Sequence, residues 1–392
     1  MQTDLWLMTL IWLVPLVASL VGRGFSSDGA LRKLGIFTSG LVVLLSLWAF
    51  ARDASDHAFA RTEAAWAPVF LGIRYHVGID GLSAVLVPVS AGIVLAVLCA
   101  APRRLLTASL IREVLLTESL LLGVLISLDL SILTLFWVTS LVPLLWSLHK
   151  RGERGAVRML TILGVCSSLP MVVFVVMLGV LRAKSGAAVQ TPYDLLALGQ
   201  RQMSEPLPNW LGILALCGAL VRMGCFPFHV WIVPLSERGP APLTLAAFAT
   251  PLGMFLTTRV TMPLFPELFA QAMPAAAGTF DGKLWRGAAT LAQTDLRRTS
   301  AWLFLDQPAG AFCSQASRVR SMRGVSGAEF TPSGTVVVRT GLALLIGSIV
   351  ARAGDGGHSQ AGGLVGRHRG GDRLSAFGGC GSQESGHARL CL

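Results

Sequence analysis

Three ionisable side chains lie within long apolar stretches, where they could move or steer protons. Glu118 and Arg222 each lie among apolar residues, and His229 follows Arg222 between two prolines. Placing a charge in hydrocarbon costs at least ~3 kcal/mol, so such residues usually serve function or pairing. Glutamate and histidine can exchange protons, whereas arginine supplies a fixed positive charge. We therefore predict a proton pathway through these three residues, with Arg222 its most important member.

Each position also has a plainer structural interpretation. Arg222 could form a structural ion pair or extend its charged head to the membrane interface. Glu118 could be an interfacial carboxylate, and His229 a packing residue. Arg259 and Arg339 lie near the ends of apolar blocks, so extension to the interface accounts for both.

The sequence after Arg222 predicts a break in its helix. Gly224, Pro227 and Pro234 interrupt one apolar block, and proline removes a backbone donor and frees a carbonyl. Broken helices persist in lipid where they are packed in protein or line a polar cavity, and transporters use them near the midplane. The alternative is a helix that ends near Phe226 and leaves the membrane.

The elements that position these residues are predicted to be helices that cross a bilayer. Hydrophobic residues make up 53% of the chain and charged residues 14%, whereas soluble domains carry about 25% charged residues. Blocks of about 20 apolar residues match a hydrocarbon core of roughly 30 Å. We predict an all-α, polytopic transmembrane helix bundle of about eight to ten spans with a discontinuous helix. The apolar blocks are 5–22, 34–51, 79–101, 113–149, 157–181, 209–233, 241–265 and 334–351.

The block 113–149 is too long for one crossing, because a single helix would extend about 55 Å. Asp129 near its middle predicts a hairpin between two helices, with Asp129 capping the turn. The loops after spans one, three and five are then rich in arginine and lysine, whereas the alternate loops are balanced or uncharged. This bias predicts eight spans with the N-terminus outside.

The chain divides into three predicted regions. Residues 1–265 form the eight-span domain, and residues 266–350 form a degenerate continuation with one further span near 334–351. Residues 351–392 form a glycine-rich disordered tail.

Several function classes are excluded by composition and motif. The net charge of +11 resides largely in short loops, which favours membrane topology over nucleic-acid binding. The seven cysteines include no Cys-x-x-Cys pair, and phosphate-binding and dinucleotide-binding glycine motifs are missing. We therefore expect no metal, cofactor or redox centre in this chain, and assign any electron transfer to partner subunits.

Several segments together resemble the antiporter-like M-type subunit of bacterial complex I, the proton-translocating NADH–quinone oxidoreductase. The order and spacing match to about residue 262, and in patches to about residue 365. Related Mrp-type antiporters and membrane hydrogenases share the same core. The segments are Gly78-Ile-Asp-Gly-Leu-Ser83, Leu128-Asp-Leu, Phe136-Trp137 with Pro143, Val221-Arg-Met, Pro227-Phe-His-Val-Trp231, Pro240 and Leu291-Ala-Gln-Thr-Asp-Leu-Arg-Arg298.

The resemblance implies proton translocation within a larger complex, driven by electron transfer elsewhere. The implied partners are the other membrane subunits and the lipid bilayer, with quinone reached only through partner subunits. The resemblance also implies an antiporter-like fold in a bacterial inner membrane, and the placement of the basic residues argues against a nucleic acid partner.

The resemblance also shows where this chain departs from the family. The family glutamate after Phe-Trp is Val138, and the family lysines correspond to Arg222 and Pro251; the later histidine falls near Val336. Valine and proline cannot exchange protons. The alternatives are a non-pumping structural paralogue, a subunit of an Mrp-type cation/proton antiporter or membrane hydrogenase, or a chain whose later part is degenerate or frameshifted.

Overall fold

A computed structural model describes residues 2–25, 27–56, 73–184, 192–201, 207–224, 228–248 and 251–271. The predicted span near 334–351, the tail, the segment 291–298, Val336 and Arg339 lie outside these ranges. The α-helices are α1 (Gln2–Val21), α2 (Asp28–Asp56), α3 (Gly81–Ala100), α4 (Ala108–Ile126), α5 (Leu130–Thr139), α6 (Val142–Lys150), α7 (Arg154–Lys184), α8 (Leu195–Arg201), α9 (Asn209–Met223), α10 (Ile232–Arg238), α11 (Ala241–Phe248), α12 (Leu252–Leu256), α13 (Met262–Leu264) and α14 (Pro266–Gln271).

Five helical segments in the described ranges are long and apolar enough to cross a membrane. A sixth candidate is a bent pair, in which Phe228–Arg238 is inclined by 44° to Asn209–Met223. The all-α membrane fold is therefore confirmed, whereas eight crossings remain a prediction. The five segments are Trp6–Gly24, Asp28–Ala51, Gly81–Ala100, Leu130–Lys150 and Arg154–Ala183.

The predicted hairpin at Asp129 is confirmed. Helix α4 ends at Ile126 and α5 begins at Leu130. The Asp129 carboxylate accepts hydrogen bonds from the backbone amides of Ser131, at 2.8 Å, and Ile132, at 3.3 Å. These amides have no partner inside the first turn of a helix, so the carboxylate fixes where α5 begins.

Three segments meet at one end of the bundle, which we call the hairpin end: residues 73–80, 127–129 and 192–194. Backbone bridges join Val77 to Ser127 and Asp129 to Asp194. His76 also lies 3.5 Å from the Asp194 carboxylate. Burial alone would raise the pKa of Asp194, but His76 and two backbone amides outweigh it and hold that pKa below its ordinary value.

The loops 22–27, 101–107 and 151–153 meet at the opposite end, which we call the basic end. Ser19 in α1 donates to the Arg112 carbonyl in α4, and the Asp28 carboxylate accepts from the Ala108 amide. Lys150 reaches Glu113 at 3.0 Å. The three loops that are rich in arginine and lysine follow every second predicted span. In the structure they therefore lie together at one end of the bundle.

The packing of α12 on α9 depends on a small residue. A Cβ atom at Gly253 would lie 2.6 Å from the Ala219 carbonyl oxygen and 2.4 Å from the Met223 side chain. Because small residues let membrane helices approach closely, Gly253 sets the distance between these two helices.

Candidate functional site

Arg222 lies in the last turn of α9 and is directed at the break between α5 and α6. Its Nη2 donates to the hydroxyl of Ser140, and its guanidinium lies 5.1 Å from the ring centre of Trp137. Ser140 occupies the midpoint of the segment Leu130–Lys150. Arg222 is therefore placed near the middle of the bundle, and its charged head does not extend to an end.

Only some of the N–H groups of the Arg222 guanidinium have a hydrogen-bond partner among the described residues. Its Nη1 has no hydrogen-bond partner among the described residues, and no carboxylate there forms an ion pair with it. Beside it lies a cavity of about 10 Å³ lined by Arg222, Ser167, Trp231 and five apolar or small residues. Such a cavity has room for about one water molecule. The structural ion pair considered for Arg222 is not formed within the described residues.

The helix breaks directly after Arg222. Gly224 caps α9 in the left-handed conformation, with φ 68°, which favours glycine. The chain resumes as the 3-10 helix Phe228–Trp231, and the Trp231 indole donates to the Val221 carbonyl at 3.1 Å. The second helical segment therefore packs back onto the first, as the broken-helix prediction requires.

Glu118 lies inside the bundle. Its side chain is 1% exposed, and Oε2 accepts a 2.7 Å hydrogen bond from Ser39 in α2. Oε1 has no partner among the described residues. The interpretation of Glu118 as an interfacial carboxylate is wrong, because Glu118 lies near the middle of α4 and its side chain is buried against α2.

The predicted proton-pathway residues occupy different parts of the bundle. Glu118 faces α2, whereas Arg222 faces the α5–α6 break. Among the described contacts, no hydrogen bond or ion pair joins these two side chains. His229 is half-buried in the 3-10 helix that follows the break.

Arg259 is a second interior arginine, and the expectation that it extends to the interface is wrong. Its side chain is 6% exposed, and its Nε lies 3.2 Å from the Asp80 carboxylate. Its Nη1 donates to the Ser83 hydroxyl at 2.7 Å and to the Leu125 carbonyl at 2.9 Å. Arg259 therefore lies near the hairpin end, as its position in the sequence suggests, but its head points into the protein.

A π-helix, Thr257–Thr261, carries Arg259. The hydroxyls of Thr257 and Thr258 both donate to the Met254 carbonyl, at 2.8 and 2.9 Å. Such side-chain bonds compete with regular helix bonds, and π-turns are frequent at functional sites.

The ion pair of Arg259 could not be found from the sequence. Its partner Asp80 lies far away along the chain, so only the tertiary structure pairs the two residues.

Both positions at which this chain lacks an ionisable residue of the family lie within the described residues. Val138 is half-buried in α5, beside Trp137. Pro251 lies between the end of α11 at Phe248 and the start of α12 at Leu252. The proline therefore coincides with an interruption of the helix, as its chemistry predicts. Within the described ranges, no group of three His, Cys, Asp or Glu side chains could hold a metal ion.

Comparison with known proteins gives consistent matches in sequence and structure. A family profile described as "NADH:quinone oxidoreductase/Mrp antiporter, TM" matches residues 124–356. The chain is 26% identical over 379 residues to F(420)H(2) dehydrogenase subunit M of Methanosarcina mazei, covering 91% of this chain and 74% of that protein. It is 31% identical over 251 residues to NADH-quinone oxidoreductase subunit 13 of Thermus thermophilus, covering 62% of this chain and 51% of that protein. The chain thus spans about half of the Thermus relative.

Solved structures show the same fold. A chain of respiratory complex I from Thermus thermophilus with bound NADH matches with a TM-score of 0.76 and 25% identity, covering 90% of this chain and 73% of that one. A chain of the Mrp complex from Dietzia sp. matches with a TM-score of 0.71 and 16% identity, covering 90% and 38%. Because the family profile covers more than half of the sequence, the chain belongs to the NADH:quinone oxidoreductase/Mrp antiporter family of transmembrane proteins.

Proposed function

We propose that this chain is a membrane subunit of a respiratory NADH–quinone oxidoreductase-type complex and takes part in moving protons across the membrane. Electron transfer and quinone contact belong to partner subunits, and the other membrane subunits are its neighbours. The observation that carries the proposal is Arg222, a guanidinium near the middle of the bundle beside a broken helix, without a carboxylate partner in the described residues.

The role proposed for Arg222 is electrostatic. Arginine does not release its proton at accessible pH, so it acts as a fixed positive charge. Such a charge alters the energy of a proton on neighbouring groups, and the small cavity beside it is lined by the polar Ser167 as well. Glu118 supplies a buried carboxyl group that can carry a proton, and His229 lies beyond the helix break.

We also propose the orientation of the chain. The basic end faces the cytoplasm of a bacterial cell, and the N-terminus lies outside. The support is that the three basic loops meet at one end, which is the distribution that the positive-inside bias describes.

A second candidate function is a structural subunit that fills an antiporter-like position without conducting protons. Two observations favour it: the position of the family glutamate is Val138, and that of a family lysine is Pro251. Neither side chain can exchange a proton. The two candidates make opposite predictions for proton flux.

The deciding experiment measures proton flux through the full chain in liposomes under an imposed pH gradient. We expect flux above empty liposomes, and a fall of at least about tenfold in Arg222→Met, which corresponds to about 1.4 kcal/mol. Arg222→Lys keeps the charge and should retain more flux than Arg222→Met. Glu118→Gln should also lower flux.

The matched control is Arg238→Met, which removes a guanidinium that is 50% exposed at the basic end. It should leave flux unchanged. Equal flux from native chain and empty liposomes would support the structural candidate, and equal flux from Arg222→Met and Arg238→Met would reject the role of Arg222. Size-exclusion profiles of each variant establish that the chain is folded.

A further inference from the structure

A pocket of about 330 Å³ lies at the basic end, beside the first turns of α7. Five residues line the pocket, and three of them are histidine or arginine: His149, Gly152, Arg154, Val157 and Arg158. Both arginines are exposed, so their guanidinium groups are available to a molecule that enters from outside the protein.

The acidic residues around the pocket are already engaged. Glu113 binds Lys150 at 3.0 Å, and Glu153 lies 3.8 Å from Arg238. Among the described residues, Arg154 and Arg158 form no ion pair. The pocket therefore presents positive charge that the described residues do not neutralise, which favours an anionic ligand.

The same face of α7 continues as an apolar stripe. From Arg158 the helix presents exposed apolar side chains at steps of three or four residues, so they lie on one face with both arginines. From Arg158 to Leu169 the helix rises about 16 Å, close to half of a hydrocarbon core of roughly 30 Å. The stripe consists of Ile162, Val165, Leu169, Val172 and Val176, which are 38% to 59% exposed.

A basic pocket that opens onto an apolar stripe matches a ligand with an anionic head and an apolar tail. We propose that Arg154 and Arg158 bind the phosphate head group of an anionic phospholipid, whose acyl chains lie along the exposed face of α7. A free phosphate ion would use the pocket but gain nothing from the stripe. The proposal goes beyond proton translocation and does not depend on it.

The test is lipid binding by the full chain in detergent, measured by native mass spectrometry with phosphatidylglycerol and phosphatidylcholine. We expect the native chain to retain phosphatidylglycerol in preference to phosphatidylcholine. Each of Arg154→Gln and Arg158→Gln should weaken phosphatidylglycerol binding about fivefold, and the double variant about 25-fold. Phosphatidylcholine binding should not change.

The matched control is Arg151→Gln, an exposed arginine close by in the sequence that does not line the pocket. It should bind phosphatidylglycerol like the native chain. An equal loss in Arg151→Gln would overturn the site, because the effect would then be general surface charge. Equal retention of the two lipids, or displacement of phosphatidylglycerol by equimolar inorganic phosphate, would also overturn it.

Discussion

Two arginines, Arg222 and Arg259, direct their heads into the same helix bundle, and their surroundings differ in one decisive respect. Each donates to a serine hydroxyl that in turn donates to a backbone carbonyl, Ser140 to Trp137 and Ser83 to Leu125. Each also lies over an aromatic ring, at 5.1 Å and 5.2 Å from its centre. Only Arg259 has a carboxylate partner among the described residues, because its Nε lies 3.2 Å from Asp80.

We interpret the difference as one between a charge that is paired within the bundle and a charge that the proposed proton pathway could use. Arg259 joins the start of α3, the end of α4 and the π-helix, and the Asp80 carboxylate neutralises its charge, although its Nη2, like Nη1 of Arg222, has no hydrogen-bond partner among the described residues. Arg222 lies near the middle of the bundle with one polar protein partner in the described ranges. A charge inside a protein that is not neutralised costs free energy, and this cost is one reason for the electrostatic role that we propose for Arg222.

The largest effect is expected for Asp80→Asn, which leaves Arg259 buried without a carboxylate. Asparagine still caps helices, so the hydrogen bond to the Ser83 amide can persist while the charge is lost. We expect a loss of about 3 kcal/mol in the free energy of unfolding, measured by SDS titration in mixed micelles. The double variant Asp80→Asn with Arg259→Met should lose less than Asp80→Asn alone. A change below about 0.5 kcal/mol in Asp80→Asn would show that the ion pair does not stabilise the bundle.

An intermediate effect is expected for the two serines. Ser140→Ala removes the one polar partner that Arg222 has in the described part of the chain and should cost about 2 kcal/mol. Ser83→Ala should cost about 1 kcal/mol, because Arg259 keeps Asp80 and the Leu125 carbonyl. The same unfolding titration compares them, and an equal or larger loss in Ser83→Ala would contradict the proposed difference between the two sites.

The smallest effect, with opposite signs, is expected for the two arginines themselves. Arg259→Met should lower the free energy of unfolding by about 1 kcal/mol, since Asp80 is 36% exposed and can bind water instead. Arg222→Met should leave it unchanged or raise it by up to about 1 kcal/mol, because the removed charge has no carboxylate partner in the described residues. Thermal unfolding in detergent measures both variants. A loss in Arg222→Met as large as that in Arg259→Met would remove the contrast.

Local features of the bundle were predictable from the sequence. The hairpin at Asp129 followed from the length of the block 113–149, and the break after Arg222 followed from Gly224 and Pro227; the interruption predicted at Pro234 is wrong, because Pro234 lies inside α10. The break and the cap at Asp129 are signalled within a few residues and act through backbone geometry, whereas the need for a hairpin came from the length of the whole block. The environments of Glu118 and Arg259 were predicted wrongly, because distance from the end of an apolar block does not reveal which helices cover a side chain.

The sequence by itself determined that this protein is a membrane helix bundle and that the helix of Arg222 stops soon after it, because apolar length and the backbone chemistry of glycine and proline follow from the residues alone. The proton pathway through Glu118, Arg222 and His229 stays a prediction. The tertiary structure alone decided that Arg259 pairs with Asp80, that Arg222 meets Ser140, and that Glu118 faces Ser39. Those partners lie on or next to different helices, and only the packing of the helices brings their side chains within hydrogen-bonding distance.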